Sequence, residues 1–141
     1  MKNIALSLIL TGLCASFFVS CVSAKVEIPY DATDREIIQT AQNEYDAGHV
    51  TRALDCYNTL LMRYGNDTAL YVEGRYEIAH IYIKQKKYSE AQEILEEIIA
   101  IYDGSAPGML PGAFNKLARA DLEKIPEGKK TTKISTGIAT E

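Results

Sequence analysis

The sequence predicts an all-α protein, a short helical solenoid of two helix pairs followed by a C-terminal capping helix. Three observations carry this. First, residues 76–102 read as two amphipathic helices joined tightly, with Ile78, Ala79, Tyr82 and Ile83 on one face of the first. The second helix places Ala91, Ile94, Leu95, Ile98, Ile99 and Tyr102 on one stripe and leaves Glu90, Glu93, Glu96 and Glu97 for water. Second, the same pattern occurs 38 residues earlier: Ala41 matches Ala79, Ala53 matches Ala91, Tyr57 falls opposite Leu95, and Tyr64 opposite Tyr102. Third, Ala113 to Ile125 recovers an amphipathic pattern through Phe114, Leu117, Ala118, Leu122 and Ile125, with Lys116, Arg119, Asp121 and Glu123 between them. A helix pair that returns at a fixed interval hides its apolar face against its neighbour, and an extra helix is needed to cover the open end.

In chain order, Met1 to Ala24 carries one early positive charge, Lys2, and then runs apolar from Ile4 to Val19. This is the pattern of a signal sequence. Its apolar run is interrupted and shorter than the about 20 residues that a membrane span needs. Phe18, Val19, Ser20 and Cys21 resemble the lipobox of bacterial lipoproteins, which implies cleavage before Cys21 and a diacylglyceryl group on its thiol. Cleavage after Ala24 is the alternative, because Val22, Ser23 and Ala24 also supply an acceptable cut. The chain then divides into a signal peptide over 1–20, a tether over 21–30, a helical domain over 31–125 and a tail over 126–141.

Within the domain, Thr33 and Glu36 form a capping box for a first helix from about Asp34 to Ala47, and Gly48 suits the left-handed stop. The second helix runs from about Thr51 to Tyr64, with Gly65 after it. Asn66 or Asp67 caps the third, which extends roughly from Asp67 to Lys86. A turn near Lys87 and Tyr88 leads to the fourth, where Ser89 and Gln92 have capping-box spacing, and which ends at Tyr102 before Gly104. The rhythm breaks over Ser105 to Gly112, which holds two prolines. From Pro126 the tail lacks periodicity and aromatic residues and is expected to be disordered.

These residues resemble a tetratricopeptide-repeat protein. The family's small residue in the first helix falls on Ala41 and Ala79, the small residue opening the second helix on Ala53 and Ala91, and the large apolar residue after it on Tyr57 and Leu95. The family's usual interval is ~34, and the longer third helix absorbs the difference. Repeats of this kind, behind a lipobox, are similar to the helical lipoproteins that help assemble proteins into the bacterial outer membrane. The resemblance implies a concave groove lined by the first helices of successive repeats. Its positions are Arg35, Ile38, Gln42 and Tyr45 in the first repeat, Glu73, Tyr76, His80 and Lys84 in the second, and Asn115 and Arg119 on the capping helix.

Composition narrows the function classes. With 19 Asp and Glu against 15 Lys and Arg, the chain is acidic, which argues against a nucleic-acid surface and against a polybasic lipid patch. Membrane attachment therefore rests on Cys21. Cys14 leaves with the signal, and Cys56, beside the stripe residues Ala53 and Tyr57, is expected to be a buried thiol. Neither His49 nor His80 has a metal-ligand partner at helical spacing, and the four glutamates share one face instead of opposing each other across a cleft. No enzyme, cofactor or metal is expected. The leading function is a lipid-anchored envelope adaptor that binds another envelope protein through the groove, with its domain in the periplasm at the outer membrane; self-association stays open. The alternative is a periplasmic ligand-binding accessory of a transport system, whose groove would hold a small apolar molecule against Ile38, Tyr45 and Tyr76.

Mass spectrometry of the mature protein is expected to find Cys21 as an acylated first residue. An unmodified chain beginning at Lys25 would overturn the lipidation.

Overall fold

The computed structural model describes residues 25–131. The signal segment, the lipidation site Cys21 and residues 132–141 of the tail lie outside the described residues. Five α-helices follow one another: α1 (Asp34–Asp46), α2 (Val50–Tyr64), α3 (Thr68–Lys84), α4 (Tyr88–Gly104) and α5 (Ala113–Glu123), with a 3-10 turn at Glu127–Lys129 and no strand among the described residues. Each helix packs on the next, and α5 packs on both α4 and α3. The all-α solenoid-like arrangement of helix pairs is as the periodicity implied.

Local chemistry sets the helix ends. The Thr33 hydroxyl accepts from the Glu36 N–H while the Thr33 N–H donates to the Glu36 carboxylate at 2.8 Å, closing the capping box at the start of α1. At its other end Gly48 adopts φ +81°, and the N–H groups of Gly48 and His49 donate to the carbonyls of Tyr45 and Glu44 at 2.9 and 2.8 Å. This 5→2 and 6→1 pair is a Schellman stop, which needs a left-handed residue. The stop recurs 38 residues later at Lys86, which holds φ 60° without being glycine; Lys86 and Lys87 donate to Ile83 and Tyr82 at 3.0 and 2.9 Å. The turn geometry therefore repeats even where the residue type does not. Of the two candidates for capping α3, Asp67 takes the role and accepts from Ala69 and Leu70 N–H.

The core is the stripe read from the sequence. Ile37 and Ile38 of α1, Tyr57 and Leu60 of α2, Val72 and Ile78 of α3, and Leu95 and Ile98 of α4 are all buried. Ala41, Ala53, Ala79 and Ala91 are each 0 % exposed. Helices α2 and α3 also come close at Gly74, where a Cβ would stand 3.0 Å from Leu61 and 3.2 Å from Leu60. Cys56 is buried and free, and burial pushes its thiol up to about 11, with the charges of Glu44 and Asp55 adding to the effect. A thiol so held is a packing residue, because only the thiolate reacts.

Several expectations are corrected. Ser89 and Gln92 form no capping box: the Schellman stop makes Lys87 the joint, so Ser89 already lies inside α4, which has no side-chain cap. Helix α4 continues past Tyr102 through Gly104. The four glutamates do not share one solvated face, since Glu97 is half-buried and accepts hydrogen bonds from Arg75 and from the Tyr71 hydroxyl of α3. Asp121, expected on the wet side of α5, is buried. The tether is not free over its second half: Val26 and Ile28 pack on the core, and Arg63 donates to the carbonyls of Pro29 at 2.6 Å and Ile28 at 3.2 Å. Residues 126–131, expected to be disordered, form the turn and a hydrogen-bonded contact with α4.

Ala79→Leu and Ala91→Leu are each expected to destabilise the protein by about 1–3 kcal/mol, because an added side chain has no space at these positions. Exposed Glu93→Ala should cost within about 0.5 kcal/mol. Equal costs in chemical denaturation would contradict this packing.

Candidate protein-binding cleft

Helices α1 and α3 are the first members of the two pairs, and they meet along a cleft of about 250 Å³ lined by Gln39, Gln42, Tyr45, Asp46, Tyr57, Glu77, His80 and Ile81. The two helices are tied at one end by a bidentate pair, in which Arg35 Nη1 and Nη2 donate to Glu73 Oε1 and Oε2 at 3.2 and 2.8 Å. Arg35 and Glu73 occupy equivalent positions of the two copies. The Glu73 hydrogen bond, with that to Asp34, holds the guanidinium above its ordinary range. At this exposed location the pair orients the helices more than it stabilises them, since solvent screens it.

The predicted groove residues divide into three sets. Gln42, Tyr45 and His80 line the cleft, and Arg35 with Glu73 closes its end. Ile38 and Tyr76 are each 5 % exposed, so they support the floor from within the core and present no surface to a partner. Lys84 is exposed at the end of α3 outside the lining, and Arg119 turns to α4, donating to Asp103 at 2.7 Å and to Asn115 at 2.9 Å. Asn115 and Arg119 are therefore not brought to the α1/α3 face.

Glu77 is the cleft residue that the periodicity did not mark as functional. Burial raises its carboxyl above the usual range, the charges of Glu73 and Asp121 add to this, and His80 opposes it. Its position matches Gln39 in the first copy, so the repeat register places both on the same line of the cleft. Because the apolar stripe passes on either side of it, only packing decides that the carboxylate points into a cleft.

Behind the cleft lies a second carboxylate. Asp121 is 1 % exposed and accepts from His80 Nδ1 at 2.6 Å, from the Tyr76 hydroxyl at 3.2 Å and from Lys124 Nζ. Burial alone would raise this carboxyl, but the hydrogen bonds from Lys124 and His80 outweigh it and hold the group below the usual carboxylate range. The Tyr76 hydroxyl is pushed up by burial and by the Asp121 charge, and its ring packs against Phe114 at a 5.6 Å centroid distance. The sequence carried a signal for this: Phe114, Ala118 and Asp121 step by four and three along one face of α5, and Ile125 follows four residues later, just past its end. The network fixes α5 and orients His80 at the cleft. His49, by contrast, pairs with Glu44 at 2.8 Å on the surface. Among the described residues no group of three or more His, Cys, Asp or Glu could hold a metal ion, and no helix is long and apolar enough to cross a membrane.

Because Asp121 has a depressed folded pKa, its stabilisation is present above the unfolded value of about 3.9 and is lost as pH falls through the folded value. Asp121→Asn removes charge-assisted hydrogen bonds and is expected to cost about 1.5–3 kcal/mol at pH 7. The difference between the two proteins in denaturant titrations should shrink below about pH 3. A pH-independent difference would show that the carboxylate is not the stabilising species.

No family model matches the chain, and no solved structure matches it. The chain is similar to an uncharacterized protein of Treponema pallidum (strain Nichols), with 33% identity over 111 residues, 77% of this chain. It spans less than half of that relative, 44% of its length.

Proposed function

We propose that this protein is a lipid-anchored adaptor of the cell envelope, which binds a segment of another protein through the cleft between α1 and α3 and supplies position and affinity without chemistry. The observation that carries the reading is the character of that cleft. Its lining mixes polar and apolar side chains, and at about 250 Å³ it lies below the range of about 300–1,000 Å³ usual for small-molecule sites. It suits one or two side chains of a docked segment. Glu77 on α3 and Asp46 on α1 give it negative charge, and Gln39, Gln42 and the Tyr45 hydroxyl give the α1 wall hydrogen-bonding groups. A lysine, arginine or amide side chain fits that lining. The tetratricopeptide-like order of the helices supports the same assignment, since the first helices of successive pairs form the groove in that family. Anchoring follows from the resemblance of residues 18–21 to a lipobox.

The apolar-ligand alternative is less well supported. Ile38 and Tyr76, which were to form its pocket, belong to the core and do not line the cleft.

The test is capture from detergent-solubilised envelope with the tethered protein as bait, followed by affinity measurement on the captured partner. Glu77→Gln combined with Gln42→Ala is expected to weaken that partner by about tenfold or more, equivalent to about 1.4 kcal/mol. Asp55→Lys, on the exposed surface of α2, should leave it unchanged. Equal retention by all three proteins would refute the cleft assignment.

A further inference from the structure

The outer side of α4 carries a second polar feature, remote from the α1/α3 cleft. Gln92 lies between Ser89 and Glu96 on α4 and is 7 % exposed. Its side-chain amide is spent on a peptide backbone: Nε2 donates to the Thr131 carbonyl at 3.0 Å, and Oε1 accepts from the Thr131 N–H at 2.7 Å. The Ser89 and Thr131 hydroxyls pair at 3.1 Å, and Nε2 also donates to Glu96 at 2.7 Å. An amide that satisfies both the donor and the acceptor of one residue does what a neighbouring strand does, namely read main chain and not side chain. The residue before it, Lys130, is extended at φ −72°, ψ 132°. Beside Thr131 a hollow of about 210 Å³ is bounded by Ser89, Gln92, Glu93 and Glu96.

We propose that this face of α4 is a binding site for an extended peptide carrying Thr or Ser, and that the chain's own segment over residues 130–131 occupies it as a displaceable plug. Charge plays no part in the seating, since Lys130 Nζ pairs with Glu127 of the same segment; the contacts with α4 are made by the Thr131 main chain and hydroxyl. The hydroxyl pair with Ser89 adds a preference for Thr or Ser at the bound residue. Burial explains why Gln92 needs an occupant. With the plug removed, Oε1 would lose its donor in a site with little access to water, and buried polar groups are kept paired. The segment is joined to α5 by a short connection from Glu123, so its effective concentration at the site is on the order of millimolar, which a competing peptide must exceed.

Thr131→Pro in the full chain opens the site with little disturbance. Proline removes the N–H that Gln92 accepts from, while Lys130 already has the extended conformation that the residue before a proline requires. The probe is a synthetic peptide of residues 127–134, followed by amide chemical shifts of α4 up to millimolar concentration. The expected result is binding to Thr131→Pro at least about tenfold tighter than to the unsubstituted protein, with loss of that gain in the Thr131→Pro, Gln92→Ala double variant. Circular dichroism should show the same helix content for all three proteins. Absence of binding to Thr131→Pro, or binding unaffected by Gln92→Ala, would overturn the proposal.

Discussion

The close approach of helices at four alanines is the constraint on which the structure depends. Ala41, Ala53, Ala79 and Ala91 expose no surface at all, and they recur in register at an interval of 38 residues. A small side chain on each buried stripe lets the larger residues beside it, Tyr57 and Leu60 or Leu95 and Ile98, reach across to the neighbouring helix. Gly74 extends the same device to the junction between the pairs, where a Cβ on α3 would press on the Leu60 and Leu61 side chains. Interiors are close-packed, so these positions fix the spacing of their neighbours as well as their own.

A stack of only two pairs leaves an end to be covered, and α5 covers it with a charged group as well as with apolar ones. Asp121 is taken out of water, which is costly unless every oxygen is bonded. Its partners come from two elements: Tyr76 and His80 stand on α3, and Lys124 follows α5. Such a network has few alternative arrangements, so it specifies where α5 sits. Because His80 also lines the α1/α3 cleft, the closure of the stack and the shape of the cleft share a residue.

The two polar faces differ in what they offer. Between α1 and α3 the groups that point outward are side chains without a common partner, framed by the Arg35–Glu73 pair. On α4 the feature is one buried amide already matched to main chain. The first suits recognition of particular side chains, whereas the second suits recognition of backbone conformation.

Periodicity alone determined the five helices, the repeat interval, the buried stripe and the burial of Cys56, because a stripe at helical spacing has only one way to leave water. Capping chemistry was legible where the cap is local, as at Thr33 and Gly48. It misled at Ser89, where the preceding turn had already placed the helix start two residues earlier than the hydroxyl could use. The site was legible in part. Gln42, Tyr45 and His80 are positions that the resemblance to tetratricopeptide repeats implied, but Ile38 and Tyr76 of the same set are buried, because where α1, α3 and α5 meet decides which members of a line remain outside. Asp121 and Glu97 show the same division in reverse: each reads as a solvated polar residue on its own helix, and each is drawn inward by partners 22 to 45 residues away. Such partners are set by how helices stack, and a hydrogen bond across that distance leaves no local periodicity behind.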